Sequence, residues 1–116
     1  MELNDLGGRR FQVWHYMVSH GQLLLRSTKD DQHPDRIDIL FKGVARMNIP
    51  TLSDLLSIGE VPVSEAAEAL PPTGVGTGDK VFALRSSTGT GYVVAVAVFL
   101  AHDKGEYFAP SQFEGV

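Results

Sequence analysis

The chain has 116 residues, and ten basic against fourteen acidic side chains leave a formal charge of −4 with histidine neutral. That length fits one domain and leaves no room for two, and 43% hydrophobic with 21% charged residues specifies a packed core rather than disorder. The absence of cysteine excludes a disulfide scaffold and a thiolate-ligated zinc or iron–sulfur centre, and the acidic balance argues against a nucleic-acid partner, because phosphate neutralisation needs an excess of Lys and Arg.

The segment from Met1 to Arg10 carries no apolar stretch of the kind a signal peptide needs. Arg9-Arg10 leads into strand-like Phe11-Gln12-Val13-Trp14, which argues against a twin-arginine export signal. The longest apolar run, Tyr92 to Ala101, is about half of what a transmembrane helix requires. A cytoplasmic protein with no membrane partner is the expectation.

Residues 10–19 are rich in aromatic and β-branched types and predict a strand. Large apolar groups fall on both of its faces, so it is expected to be covered on both sides over part of its length. His20-Gly21 reads as a two-residue hairpin into a second strand, Gln22 to Ser27. Lys29 to Asp35 is a polar loop. Arg36 to Lys42 alternates: Ile37, Ile39 and Phe41 face inward, Asp38 and Lys42 face water. Gly43 marks a turn or bulge before a further strand over 44–49, and Pro50 ends the pairing.

Leu52, Leu55, Leu56 and Ile58 have partly helical spacing. They predict one helical turn leading into a short strand near 56–61. Ser64 to Leu70 predicts a short helix, stopped by Pro71-Pro72. A Gly-rich connector follows. Lys80 to Ser86 and Tyr92 to His102 are two strands joined by a hairpin loop at 87–91. The second is apolar on both faces and belongs in the middle of the fold. Tyr107 to Ala109 predicts a short edge strand. The sum is an all-β domain over 1–116, a small sandwich or partly open barrel of about seven strands with one short helix near 64–70. An α+β fold is the alternative.

The stretches Val18 to Ser27, Ile37 to Val44 and Ile49-Pro50-Thr51 together resemble small single-domain bacterial proteins of unknown function. The likeness spans the first half of the chain. It implies a bacterial source and carries no activity and no site residue to transfer.

Motifs that carry chemistry are scarce. Gly74-Val75-Gly76-Thr77-Gly78 precedes a strand rather than opening a helix, so the aligned N–H groups of a dinucleotide site are missing. Neither a Walker A loop nor a Gly-x-Ser-x-Gly elbow occurs. No cofactor is expected. Asp30, Asp31, His33 and Asp35 share one loop and form the candidate metal-ligand set. A solvated polar loop is the favoured reading, since the calcium-loop order and its central Gly are absent. Arg26, Arg46 and Arg85 each lie within a predicted strand. On neighbouring strands they would form an outward row for a carboxylate or phosphate; arginines that merely keep an exposed face solvated are the favoured reading. Tyr107 and Phe108 on an edge invite pairing with another chain, and predict a homodimer.

Three function classes follow in order. The first is a non-catalytic interaction module, self-associating or protein-binding. The second is a β-barrel that holds a small ligand against the Ala-lined face of Tyr92–Ala101. The third is a metal-dependent enzyme using His102, Asp103 and the 30–35 loop.

Overall fold

The computed structural model describes residues 2–3, 6–69, 76, 78–111 and 113. The Gly-rich connector and Leu70 to Pro72 lie mostly outside the described residues. Among the described residues the protein is all-β. Its strands are β1 (Glu2–Leu3), β2 (Arg9–Met17), β3 (Gln22–Ser27), β4 (Arg36–Lys42), β5 (Arg46–Asn48), β6 (Leu52–Val61), β7 (Lys80–Ser86), β8 (Gly89–Ala95) and β9 (Ala97–Asp103). All pair antiparallel in one sheet, ordered β5-β8-β7-β6-β2-β3-β4-β9, with β1 added to β6.

The two ends of this order belong together. Arg36 faces Asp103 and Lys42 faces Ala97 in the β4–β9 ladder. Beyond Gly43 the same two chain passages continue as β5 and β8, where Arg46 faces Val94. Both passages bend at the same level, and Val96 N–H bonds the Lys42 carbonyl there at 2.9 Å. The sheet therefore curls around its core as a partly open barrel, with the hydrogen-bonded path broken at Gly43 and Val96.

The core follows from alternation along each strand. Leu23 and Leu25 of β3, Ile37, Ile39 and Phe41 of β4, Phe82 and Leu84 of β7, and Val93 and Ala95 of β8 meet in one buried cluster. Phe41 and Phe82 stack edge-on with centroids 5.8 Å apart. Val98 of β9 joins the same cluster. Ala95 and Val98 share a side despite their odd spacing because the bend at Val96 inverts the alternation. The apolar run from Tyr92 is thus two strands, not one, and its alanines do not form a single face. Gly43 permits the bend. Its φ of +65° is left-handed, and a Cβ there would lie 2.7 Å from Val96 Cγ2.

Three local expectations are corrected. Residues 52–61 form a full strand rather than a helical turn and short strand. The register against β7 slips between Leu55 and Ser57, and this bulge places Leu55 and Ile58 on the core side at a spacing of three, which mimics a helix. The helix near 64–70 is a 3-10 turn, Val63–Ala66. It covers the outer face of β7 and β8, where Ala66 packs on Val81 and Val94. Tyr107 to Ala109 is a turn, not an edge strand.

Candidate functional site

The outward face of β3 and β4 is not solvated. Arg26, Arg36 and Asp38 are each about 1% exposed, because the C-terminal segment 105–111 folds across them as a strap. The expectation that Asp38 faces water fails for this reason. Its side chain points away from the core but lies under the strap.

Arg36 anchors the strap. Its Nε and Nη2 donate to the two carboxylate oxygens of Asp103, both at 2.8 Å. The remaining N–H groups reach the carbonyls of Glu106 at 3.0 Å, Ala109 at 2.7 Å and Pro110 at 3.0 Å. A planar five-donor fork suits this task and an ammonium does not. The Arg36 guanidinium holds the Asp103 carboxyl below the ordinary carboxylate range, and Asp103 in turn raises the Arg36 value. Gly105 makes the approach feasible, since a Cβ there would lie 2.6 Å from Arg36 Nη2. Arg26 repeats the arrangement one strand over. It grips Asp38 with bonds of 2.8 and 3.1 Å and donates to the Tyr107 carbonyl at 3.0 Å. Among the described residues no buried side-chain polar atom lacks a partner, which is what such buried charge demands.

Between the strap and β2 runs an open groove of about 750 Å³. Trp14, Met17, Leu24, Leu40, Phe108 and Phe113 form its apolar walls, and His15, His20 and Gln22 border it. A register slip between Val13 and His15 places Trp14 and His15 on the same groove. The Trp14 ring is held on three sides: the Arg26 guanidinium lies 4.7 Å from its centroid, Tyr107 meets it edge-on at 4.9 Å, and Phe108 lies at 5.7 Å. Gln12 Nε2 donates to the Tyr107 hydroxyl at 3.3 Å. Phe108 stays 83% exposed at the rim. The groove is thus an aromatic surface on a rigid sheet, with its charges already consumed in holding the wall.

A second polar cluster sits where β2, β3, β4 and β9 meet at their other ends. Arg9 Nη1 donates to Asp35 at 2.7 Å and Arg9 Nε to Ser27 Oγ at 3.0 Å. His102 Nδ1 lies 3.1 Å from the other Asp35 oxygen. The Arg9 guanidinium lowers the Asp35 pKa, with His102 adding to it. This cluster fastens the 28–35 loop.

The candidate residues are dispersed. Arg26, Arg46 and Arg85 lie on β3, β5 and β7, none of which adjoins another, so they do not form one row. Arg26 is buried on Asp38, and Arg85 pairs with Glu65 at 3.1 Å. Asp30 bonds His33 at 2.9 Å while Asp35 turns to Arg9, and Asp31 is exposed. Among the described residues no group of three or more His, Asp or Glu could hold a metal. Tyr107 is committed to Trp14, leaving Phe108 as the outward aromatic. Among the described residues fourteen buried side chains form the core cluster inside the curled sheet, and the gap beside Phe11, Leu25 and Leu84 is about 10 Å³, at the lower limit for one water. Sequence reasoning missed Arg36, set Asp38 in water, and placed Asp103 in a metal-dependent site rather than against an arginine. The one available signal was an Arg or Asp at an outward strand position next to a late aromatic pair.

No helix among the described residues is long and apolar enough to cross a membrane. No protein-family model, curated protein or solved structure matches this chain.

Proposed function

We propose that the protein is a non-catalytic binding module whose groove receives an apolar or aromatic segment of a protein partner. The observation that carries this reading is the groove itself: a preformed aromatic concavity of about 750 Å³, backed by a sheet and pinned by two buried arginines. Preformed apolar walls with a few polar groups at the rim are what segment recognition uses. The ring of Phe108 at the rim suits a second copy of the chain as well as a foreign partner.

Selection of random linear peptides on the immobilised protein tests the reading. Recovered sequences should share bulky apolar residues and should bind the Phe108→Ala variant about tenfold more weakly, as loss of an aromatic anchor does. Peptides that bind the variant equally well would contradict it. Extra non-peptide mass on gently purified protein would favour a small ligand in the same groove. A small ligand in this same groove is the second reading.

A further inference from the structure

The chain between β2 and β3 brings soft donors together at one end of the groove. Met17 ends β2, residues 18–20 form a 3-10 turn, and Gly21 closes it with a φ of 56°. This turn folds His20 back until its Nδ1 lies 3.0 Å from Met17 Sδ. The Ser19 hydroxyl also reaches that nitrogen at 3.0 Å. The turn is anchored rather than loose: Gly21 N–H bonds Val18 at 3.3 Å, and the Gly21 carbonyl accepts from Val44 N–H at 2.8 Å. His15 stands two residues before Met17 on the same strand, and all three side chains border the same groove.

We propose that Met17, His20 and His15 form a binding site for a soft monovalent metal ion, Cu(I). A thioether sulfur and an imidazole nitrogen 3.0 Å apart are a donor pair that hard cations avoid and Cu(I) prefers. Neither contact of His20 involves a carboxylate, so the set offers nothing to Ca²⁺ or Mg²⁺. Two or three such donors satisfy Cu(I), and His15, two residues before Met17 on β2 and bordering the same groove, is the third donor within the proposal. Ion entry replaces the exposed Ser19 hydrogen bond and the direct His20–Met17 contact. Exposure of His15 and His20 leaves the path open. The site borders the groove, but the proposal does not rest on peptide binding there and is tested without a peptide.

Anaerobic titration with Cu(I) buffered by bicinchoninate tests the site, with methionine methyl groups followed by NMR. One equivalent should be withdrawn from the probe, and the Met17 methyl signal should move while that of Met47 stays. Met17→Leu and His20→Gln should each weaken binding about tenfold or more, the scale on which a single lost ligand or its support weakens a metal site. Met47→Leu should leave it unchanged. Failure of the wild-type protein to withdraw Cu(I), or undiminished binding in the Met17→Leu/His20→Gln double variant, would overturn the proposal. Both substitutions lie at the surface end of β2, and the methyl spectrum reports whether each variant is folded.

Discussion

Arg36 and Asp103 face each other across the β4–β9 ladder, and the two 2.8 Å hydrogen bonds between them are the point from which the C-terminal strap hangs. The same guanidinium also satisfies three strap carbonyls. One residue therefore joins sheet, ion pair and groove wall. Replacing Arg36 by Met leaves those carbonyls without its N–H groups and Asp103 with only the Gly105 N–H at 2.8 Å. The expected cost is about 3 kcal/mol, the low end for breaking a buried pair, because Asp103 keeps some exposure. Urea unfolding measures it, and hydrogen exchange should rise first at 106–109. Arg36→Lys should restore little, since an ammonium cannot make the fork. An unchanged urea midpoint would show that the strap does not depend on this arginine.

Acid should loosen the same contacts. Arg36 lowers the Asp103 pKa and Arg9 lowers that of Asp35, from an ordinary value of 3.8. A carboxyl whose folded value is depressed stabilises the fold fully above its unfolded value, and that contribution is lost as pH falls through the folded one. Stability should therefore be insensitive to these two groups above about pH 4 and should fall below it. The exposed pairs Glu106–Lys29 and Asp30–His33 add little. Asp103→Asn should start from lower stability and show a shallower acid limb. An acid limb identical to that of the wild type would argue against the assignment.

Gly43 and Val96 mark where the barrel path bends. Gly43→Ala meets two obstacles, a left-handed φ of +65° and Val96 Cγ2 at 2.7 Å. The expected destabilisation is about 2 kcal/mol, combining the left-handed cost for a non-glycine residue with overpacking. Adding Val96→Ala should recover the steric part and leave the conformational part. Thermal unfolding of the three variants gives the comparison, and full additivity would remove the steric explanation.

Trp14 is the single tryptophan of the chain, and Tyr107 and Phe108 shield its ring. Tyr107→Ala should shift Trp14 emission to the red and increase its quenching by acrylamide, with a loss of about 1 kcal/mol from the aromatic contact. Phe108→Ala should perturb emission less, because its ring is mostly in water. Equal effects from both would contradict the geometry.

Three strands were legible from the residues. Arg36–Lys42 keeps the limits that its alternation predicts, and Gln22–Ser27 and Lys80–Ser86 keep limits marked by the turn residues beside them. Where the chain bulges, the period misleads. Leu55 and Ile58 take helical spacing across a register slip, and the run from Tyr92 hides the inversion at Val96. The site was less legible for a different reason. An Arg at an outward position looks solvated until the partner strand is known. Only the register that sets Arg26 beside Asp38 and Arg36 beside Asp103 shows that both are buried pairs. The strap that covers them has no periodicity at all. Tyr107 and Phe108 were visible as a late aromatic pair, but their role depends on Trp14, more than ninety positions earlier in the sequence.

The central claim is that binding takes place in the groove between β2 and the strap. Chemical-shift mapping of the labelled protein with a selected peptide tests it most directly. The expected shifts lie over Trp14 to Leu24 and over 107–111, with the Trp14 indole N–H among the largest. Shifts gathered instead around Asp35 and His102, at the opposite ends of the same strands, would contradict it.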